Sequence, residues 1–207
     1  MPLRSMFRSG LSLQEKLLSI SWPFLLLITL AASIGFVSLY SAASGSMSPW
    51  AASQMAKFGV GMVGLVVTAL IDIRVWMRLS YFIFGAGLLL LVYVDVHGHM
   101  SMGAQRWIDL GFLKLQPSEF MKVAVVLAFA RFFHGATAED VKNPLFLVIP
   151  LGLLVLPVAL VLLQPDLGTA MMLVAVAGAM FFVAGVPYWI FGVIGAGALS
   201  MLPEAAE

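Results

Sequence analysis

The charged side chains whose spacing suits chemistry are concentrated between Gly103 and Lys122, in the stretch GAQRWIDLGFLKLQPSEFMK. Glu119 and Lys122 are three residues apart, so on a helix they are neighbours on one face. Because a helix rises about 1.5 Å per residue, Lys122 lies about 4.5 Å farther along the axis than Glu119. In a membrane, a lysine at such a depth pairs, snorkels or faces a polar cavity. The spacing predicts either an ion pair that orients two helices or a cavity in which Lys122 meets an anionic group.

Arg106 and Trp107 lie upstream of that pair, in a loop rich in apolar residues. Arginine suits bidentate recognition of phosphate, so Arg106 could bind either a substrate phosphate or ordinary phospholipid headgroups. Trp107 and the apolar residues after it are typical of a segment at a membrane interface. Asp109-Leu110-Gly111 could form the turn of a small hairpin.

Two stretches begin helices in the same manner, Gln116-Pro117-Ser118-Glu119 and Gln164-Pro165-Asp166. Proline suits the first helical position because it has no N–H to leave unpaired. A carboxylate in the first turn is favoured by the helix dipole, by about 0.3–1 kcal/mol. Asp166 is therefore either a well-made helix start or a member of the same polar surface.

Other kinds of site have little support. His97 and His99 are two histidines alone and therefore poor evidence for a metal site, so we predict none there. The absence of cysteine excludes disulfides, thiolate metal sites and cysteine nucleophiles. We find no Gly-x-Ser-x-Gly elbow, P-loop or dinucleotide fingerprint, and no basic cluster dense enough for nucleic acid.

The elements that position these residues are apolar helices. Of the 207 residues, 62% are hydrophobic and 10% charged, whereas soluble domains carry about 25% charged residues; the mean hydropathy is +1.05. We predict an all-α, polytopic membrane protein with one transmembrane domain over residues 1–207 and an outer loop at 95–116. A span crosses a core of about 30 Å with roughly 20 residues, and the predicted spans are 17–40, 52–71, 79–94, 117–133, 144–163, 167–184 and 186–202.

The first apolar run is longer than the core of a signal peptide, which has about 7–15 residues, so we predict a retained span. Lys and Arg accumulate in cytoplasmic loops. With the N-terminus inside, the inner segments hold seven of these residues and the outer ones three. The N-terminus is therefore predicted to be cytoplasmic, with the loop at 95–116 and the break at Asp166 facing outward.

The blocks GAQRWIDLG and QPSEFMK, followed by QPDLGTA at Gln164–Ala170, resemble the SEDS family (shape, elongation, division and sporulation), of the RodA/FtsW type. The blocks occur in the family's order, at similar separation and between similarly placed spans. The wording Arg-Trp-Ile-Asp-Leu-Gly is closer to the rod-shape-determining RodA branch than to the division branch. The combination is specific, and the resemblance covers the whole chain.

The resemblance implies a ten-span protein of the bacterial inner membrane that polymerises lipid II, an undecaprenyl-diphosphate-linked substrate, with a class B penicillin-binding protein as partner. It implies a divalent cation, Mg or Mn, for which the sequence offers no ligand cluster. It also assigns to the substrate cavity the matching positions Arg106, Trp107, Gln116, Pro117, Ser118, Glu119, Lys122 and Asp166.

In that family the expected catalytic aspartate lies in an outside loop after the seventh span. This sequence ends at Glu207, where such a loop would begin. We therefore expect seven of ten spans here, no catalytic residue in this chain, and no activity from it alone. The implied function is a peptidoglycan glycosyltransferase of cell-wall elongation and cell shape. A lipid II flippase and a non-catalytic scaffold for a penicillin-binding protein are the alternatives.

Overall fold

The computed structural model describes residues 13–97, 99–101, 104–109 and 114–192, and the side chains of most of them. Three short strands lie between the fourth and fifth helices: β1 (His99–Ser101), β2 (Ala104–Asp109) and β3 (Lys114–Leu115). The helices are α1 (Leu13–Ser19), α2 (Trp22–Ala42), α3 (Trp50–Leu70), α4 (Ile73–His97), α5 (Pro117–Phe133), α6 (Pro144–Leu163) and α7 (Leu167–Ala184).

Five of the described helices, α2, α3, α4, α6 and α7, are long and apolar enough to cross a membrane. The prediction of a helical, multi-pass membrane protein is confirmed. The fifth helix, α5, has 17 residues, and its first turns carry Glu119 and Lys122. It is both shorter and more polar than α4 and α6. Glu119 and Lys122 therefore lie on a helix that is less suited to the lipid core than its neighbours.

The N-terminal helical segment is interrupted inside the region predicted as a continuous span over residues 17–40. Helix α1 ends at Ser19, and α2 begins at Trp22 with a proline in its first turn. Pro23 has no N–H with which to continue the hydrogen bonds of α1, and proline suits the first turn of a helix, so the chain starts a new helix here. Lys16 Nζ donates a 2.9 Å hydrogen bond to the Leu70 carbonyl oxygen at the end of α3, where the helix dipole favours a cation.

Two further boundaries differ from the predicted spans. Helix α4 begins at Ile73 and ends at His97, whereas the predicted span covered residues 79–94. Arg74 and Arg78 therefore belong to a helix and not to a connector. Such a helix end tolerates them because long basic side chains can extend from it towards water. Of the predicted seventh span at 186–202, only residues 186–192 are described, and a helix begins at 188. The rest lies outside the described residues.

The chain divides into two compact units, Met1–Ile73 and Arg74–Glu207, where we predicted one transmembrane domain. In the first unit, α2 packs against α3, and the rings of Phe36 and Phe58 meet edge to face with centroids 5.6 Å apart. The second unit contains all of the candidate site residues.

The core of the second unit forms where α5, α6 and α7 meet. In α5 the buried residues recur at helical spacing, as with Met121, Ala124 and Ala128, each 0% exposed. Helices α5 and α7 run parallel, since Lys122 contacts Met172 near their starts and Phe129 meets Phe181 farther along, with ring centroids 5.3 Å apart. Small buried residues allow close approach of membrane helices, and this contact brings the starts of α5 and α7 to one end of the unit.

The three strands form an antiparallel sheet in the order β1-β2-β3. Ile108 pairs with Leu115, and Asp109 with Lys114. The turn was predicted at Asp109-Leu110-Gly111, but Asp109 is the last residue of β2, and residues 110–113 lie outside the described residues. Because β3 ends immediately before α5, the sheet connects the Arg106-Trp107 segment to the first turn of that helix.

Thr137 and Asp140 form a hydrogen-bonded box in the connector between α5 and α6. Thr137 donates to Asp140 Oδ2 from its main-chain N–H at 2.9 Å and from its hydroxyl at 2.7 Å. These two bonds favour the ionised carboxylate and hold the pKa of Asp140 below its usual range, with the main-chain bond contributing most. The box starts the short 3-10 helix Asp140–Lys142 and fixes the approach to α6.

Candidate functional site

The first turn of α5 is built by proline and by an extended residue before it. Gln116 is the N-cap residue, with φ −104° and ψ 109°, and Pro117 follows at the first helical position. The Gln116 carbonyl oxygen accepts from the Glu119 main-chain N–H at 3.1 Å. Gln116 is half-buried, and Ser118 is 2% exposed. Local chain geometry thus directs Ser118 into the protein and Glu119 away from it.

Glu119 and Lys122 form the ion pair predicted as one of two alternatives. Lys122 Nζ lies 2.8 Å from both carboxylate oxygens of Glu119. The lysine side chain is 22% exposed and the glutamate side chain 57%. Lys122 Nζ also lies 3.7 Å from the Met172 Sδ of α7, so the lysine spans the gap between α5 and α7. The ammonium is held between a half-exposed carboxylate and a soft, uncharged sulfur.

Asp166 lies at a helix start, as predicted, but it is the N-cap residue of α7 and not part of the first turn, and Pro165 precedes it instead of occupying the first helical position. Its Oδ1 accepts from the Thr169 main-chain N–H at 3.1 Å. Its Oδ2 accepts from the Thr169 hydroxyl at 2.8 Å. Met172, which touches Lys122, lies six residues farther along, or about 9 Å of helix axis. Asp166 and the Glu119–Lys122 pair therefore lie at the same end of the unit, on two parallel helices.

Gln164 is a further residue of this region, and its contact could not be predicted from the sequence. It is 4% exposed, and its side-chain Nε2 donates to the Leu91 main-chain oxygen at 3.2 Å. Leu91 belongs to α4, so the bond joins the α6–α7 turn to a helix 73 positions earlier. The only signal was Gln164's place beside Pro165-Asp166.

Arg106 and Trp107 both lie on β2, and the Trp107 side chain is half-buried. The Cα of Trp107 pairs with that of His99 on β1. The side chain of Arg106 lies outside the described part, so its assignment to a phosphate stays a prediction. Helix α5 contacts β2, which places the strand that carries Arg106 next to the helix that carries Lys122.

The described residues do not form a metal centre. Among them, no group of three or more His, Cys, Asp or Glu side chains is arranged to hold an ion. Glu119, the acidic residue in the first turn of α5, has the Lys122 ammonium against both of its oxygens, and that charge disfavours a second cation. The Mg or Mn implied by the family resemblance therefore finds no fitting ligand set in the described part of this chain.

The arrangement suits anion binding better than proton abstraction. The carboxylates of Glu119 and Asp166 are both engaged, the first by an ammonium and the second by the Thr169 donors. A general base needs to be within hydrogen-bond reach of the proton it takes and to be able to accept it. Lys122, in contrast, presents a cation whose remaining contact is a thioether.

An apolar cavity of about 190 Å³ lies between α6, α7 and the residues that follow α7. It offers no polar group to a phosphate or a sugar, so it is not a reaction site. Its lining consists of Leu147, Leu151, Leu154, Val174, Gly178, Phe181, Val186, Ile190 and Phe191.

Comparison with known proteins agrees with the resemblance in the sequence. The family model described as "Cell cycle protein", for FtsW, RodA and SpoVE, matches residues 21–205. The peptidoglycan glycosyltransferase MrdB of Escherichia coli K12 is 38% identical over 173 residues, which are 83% of this chain and 46% of that protein. A probable peptidoglycan glycosyltransferase FtsW of Escherichia coli O6:H1 is 35% identical over 144 residues, 67% of this chain and 35% of the relative.

Solved structures named RodA or drawn from a peptidoglycan synthase complex also match this chain. The crystal structure of the rod-shape-determining protein RodA of Thermus thermophilus matches with a TM-score of 0.74 and 33% identity, over 89% of this chain and 60% of that one. A chain from a peptidoglycan synthase complex, studied for how polymerization and crosslinking are coordinated, matches with a TM-score of 0.77 and 33% identity, over 89% of this chain and 53% of that one. This chain spans about half the length of the curated relatives it matches.

Proposed function

The chain belongs to the FtsW/RodA/SpoVE family of cell cycle proteins, and from that premise we propose that the protein containing it is a peptidoglycan glycosyltransferase. The proposed reaction joins lipid II units into glycan strands during cell-wall elongation. Relatives that are named peptidoglycan glycosyltransferases support the activity, and the similarity to RodA supports the elongation branch.

The observation that carries the proposal is the placement of Lys122. Transfer of a lipid-linked sugar releases a diphosphate, and cations held where that charge develops stabilise the transition state. Lys122 stands between α5 and α7 with its ammonium on a glutamate that is 57% exposed. Exposed ion pairs contribute only about 0–1 kcal/mol, so a diphosphate can take over the ammonium at small cost. Arg106 on the adjacent β2 is proposed as the second cation.

The acceptor hydroxyl must lose a proton, which is the work of a general base. Glu119 and Asp166 are engaged in an ion pair and in a helix cap, so these two residues are proposed to contribute to binding and not to act as the base. By the family resemblance, the base is an aspartate of an outside loop that follows the seventh span.

A class B penicillin-binding protein is the proposed partner. The support is the similarity to a chain of a peptidoglycan synthase complex. We place the protein in the bacterial cytoplasmic membrane with its N-terminus inside, because Lys and Arg are concentrated in the segments assigned to that side. The start of α5 and the Asp166 turn then face outward, where glycan strands are made.

The test supplies labelled lipid II in vesicles to the purified protein that contains this chain. Formation of glycan polymer supports the proposal, whereas movement of lipid II across the bilayer without polymer identifies a flippase. If glycan polymer forms only when a penicillin-binding protein with its own polymerase activity is added, the protein is a scaffold. Arg106→Ala and Lys122→Ala should each reduce polymerisation, and Lys142→Ala, an exposed lysine in the 3-10 helix, should not.

A further inference from the structure

A buried hydrogen bond joins the α6–α7 turn to the middle of α4. Gln164 is 4% exposed, and its side-chain amide nitrogen lies 3.2 Å from the main-chain oxygen of Leu91, a residue that is 0% exposed. An amide that is buried in an apolar medium without a hydrogen-bond partner destabilises the fold. A glutamine here needs that partner, whereas an apolar residue would need none.

The bond leaves α4 intact. A carbonyl oxygen has two lone pairs, and in a helix one of them accepts the N–H four residues later. Helix α4 continues to His97, so Gln164 uses the remaining lone pair of Leu91. The link is therefore a brace added to a complete helix and not a substitute for a missing helical bond.

The brace acts on the turn that carries Asp166. The Val161 carbonyl oxygen accepts from the Gln164 main-chain N–H at 3.1 Å and from the Asp166 main-chain N–H at 3.3 Å. Gln164 and Asp166 are thus tied to the same residue of α6. Asp166 in turn holds the first turn of α7 through Thr169. Fixing Gln164 against α4 fixes the height and direction of Asp166.

The same face of α4 also contacts α5. Gly87 lies one helical turn before Leu91, and a Cβ at Gly87 would stand 2.8 Å from Met121 Sδ. Since residues four apart share a face, α4 packs directly against α5 and receives Gln164 on one stripe. These contacts fix the position of the Asp166 turn relative to α5. Lys122 of α5 in turn contacts Met172 of α7.

We propose that Gln164 is a positioning residue that acts through Asp166, holding that carboxylate in register with the Glu119–Lys122 pair. The effect on turnover rests on the proposed function, whereas the effect on the turn itself does not. Gln164→Met keeps the length of the side chain and removes the donor. Gln164→Glu keeps the shape and replaces the donor with an oxygen that faces the Leu91 oxygen. Ser80→Ala is the matched control, because Ser80 is equally buried on α4 but bonds only to the nearby Met77 oxygen, at 2.9 Å.

The first measurement is amide hydrogen exchange, in nanodiscs, of the protein that contains this chain. Gln164→Met and Gln164→Glu should raise exchange of the segment 164–170, including the Thr169 amide, and leave α5 and α6 at wild-type rates. Ser80→Ala should not change that segment. Unchanged exchange at 164–170, or faster exchange throughout α4–α7, would reject the positioning role. Failure of both Gln164 variants to fold while Ser80→Ala folds would also reject it.

The second measurement is a double-mutant cycle on lipid II polymerisation by the protein that contains this chain. Gln164→Met should lower kcat/KM about tenfold, as the loss of one hydrogen bond allows, and should cause no further loss in an Asp166→Ala background. Equal losses in both backgrounds would mean that Gln164 does not act through Asp166. If wild-type protein makes no polymer, the proposed function fails, and the exchange measurement still decides whether Gln164 holds the turn.

Discussion

Replacing Lys122 with methionine separates a structural ion pair from a substrate contact. Methionine keeps the apolar stem beside Met172 and removes only the charge. The pair that is lost has Nζ–Oε distances of 2.8 Å, but Glu119 is 57% exposed, so solvent screens it. Pairs of this kind, three or four residues apart on a helix, stabilise by about 0.2–0.5 kcal/mol. The free energy of unfolding should therefore fall by no more than about 0.5 kcal/mol.

The effect on activity should be much larger. Hydrogen bonds to charged groups contribute about 1.5–3 kcal/mol, and 1.36 kcal/mol corresponds to a factor of ten in rate. If Lys122 holds the diphosphate, Lys122→Met should lower kcat/KM for lipid II by about 10- to 100-fold. Glu119→Gln, which removes the partner and keeps the lysine, should cost less than threefold, of the order expected for an exposed pair.

The assay combines thermal unfolding in nanodiscs with polymerisation of labelled lipid II. The double exchange of Glu119→Lys with Lys122→Glu provides the decisive control, because it restores an ion pair and moves the cation by one turn. It should recover stability without recovering activity. If it restores polymerisation, or if Lys122→Met loses stability and activity in proportion, the pair is structural and the phosphate assignment is wrong.

Three further outcomes follow from the described contacts. Asp166→Ala should destabilise the fold by about 1 kcal/mol, the usual loss for a helix cap, whereas Asp166→Asn should not; equal melting temperatures for the two would contradict the cap. Thr137→Val should raise the pKa of Asp140 towards its usual value, as followed by a chemical-shift titration. The lowered pKa stabilises the fold above the ordinary aspartate pKa of about 3.9, and this contribution is lost as pH falls through the lowered value; an unshifted titration would contradict the box. Ala128→Leu should overpack the α5 interface and lower the free energy of unfolding by about 1–3 kcal/mol. Val123→Leu, at an exposed position, should leave it unchanged. Similar unfolding curves for the two variants would exclude tight packing at Ala128.

The sequence was most informative where neighbouring residues determine the local structure of the chain. Proline at the first helical position and a carboxylate close behind it predicted the start of the helix at Pro117, and the structure has it there. In the second stretch a helix also begins, but Pro165 precedes the N-cap residue Asp166 and the first helical residue is Leu167. The Glu119–Lys122 contact followed from helical spacing alone. A small hairpin was predicted around Asp109, and β2 and β3 pair antiparallel on either side of it, with Asp109 in the strand and not in the turn.

What could not be predicted depends on contacts between distant residues. Gln164 and Leu91 are 73 positions apart, and no local pattern joins them. The break before Trp22 lies inside an apolar run, where hydropathy changes little; it depends on a proline and on a hydrogen bond from Trp22 Nε1 to the Leu17 oxygen at 3.2 Å. The position of Met172 beside Lys122 depends on how α5 packs against α7.

The claim that this chain provides the diphosphate-binding surface of a lipid II polymerase is tested most directly by equilibrium binding to the 207-residue chain in nanodiscs. Undecaprenyl diphosphate and undecaprenol share the same hydrocarbon and differ in the charged group. We predict that the diphosphate binds at least about tenfold more tightly, as one charged hydrogen bond allows, and that Lys122→Met removes most of this difference. Equal affinities for the two lipids, or a preference that Lys122→Met leaves unchanged, would contradict the account.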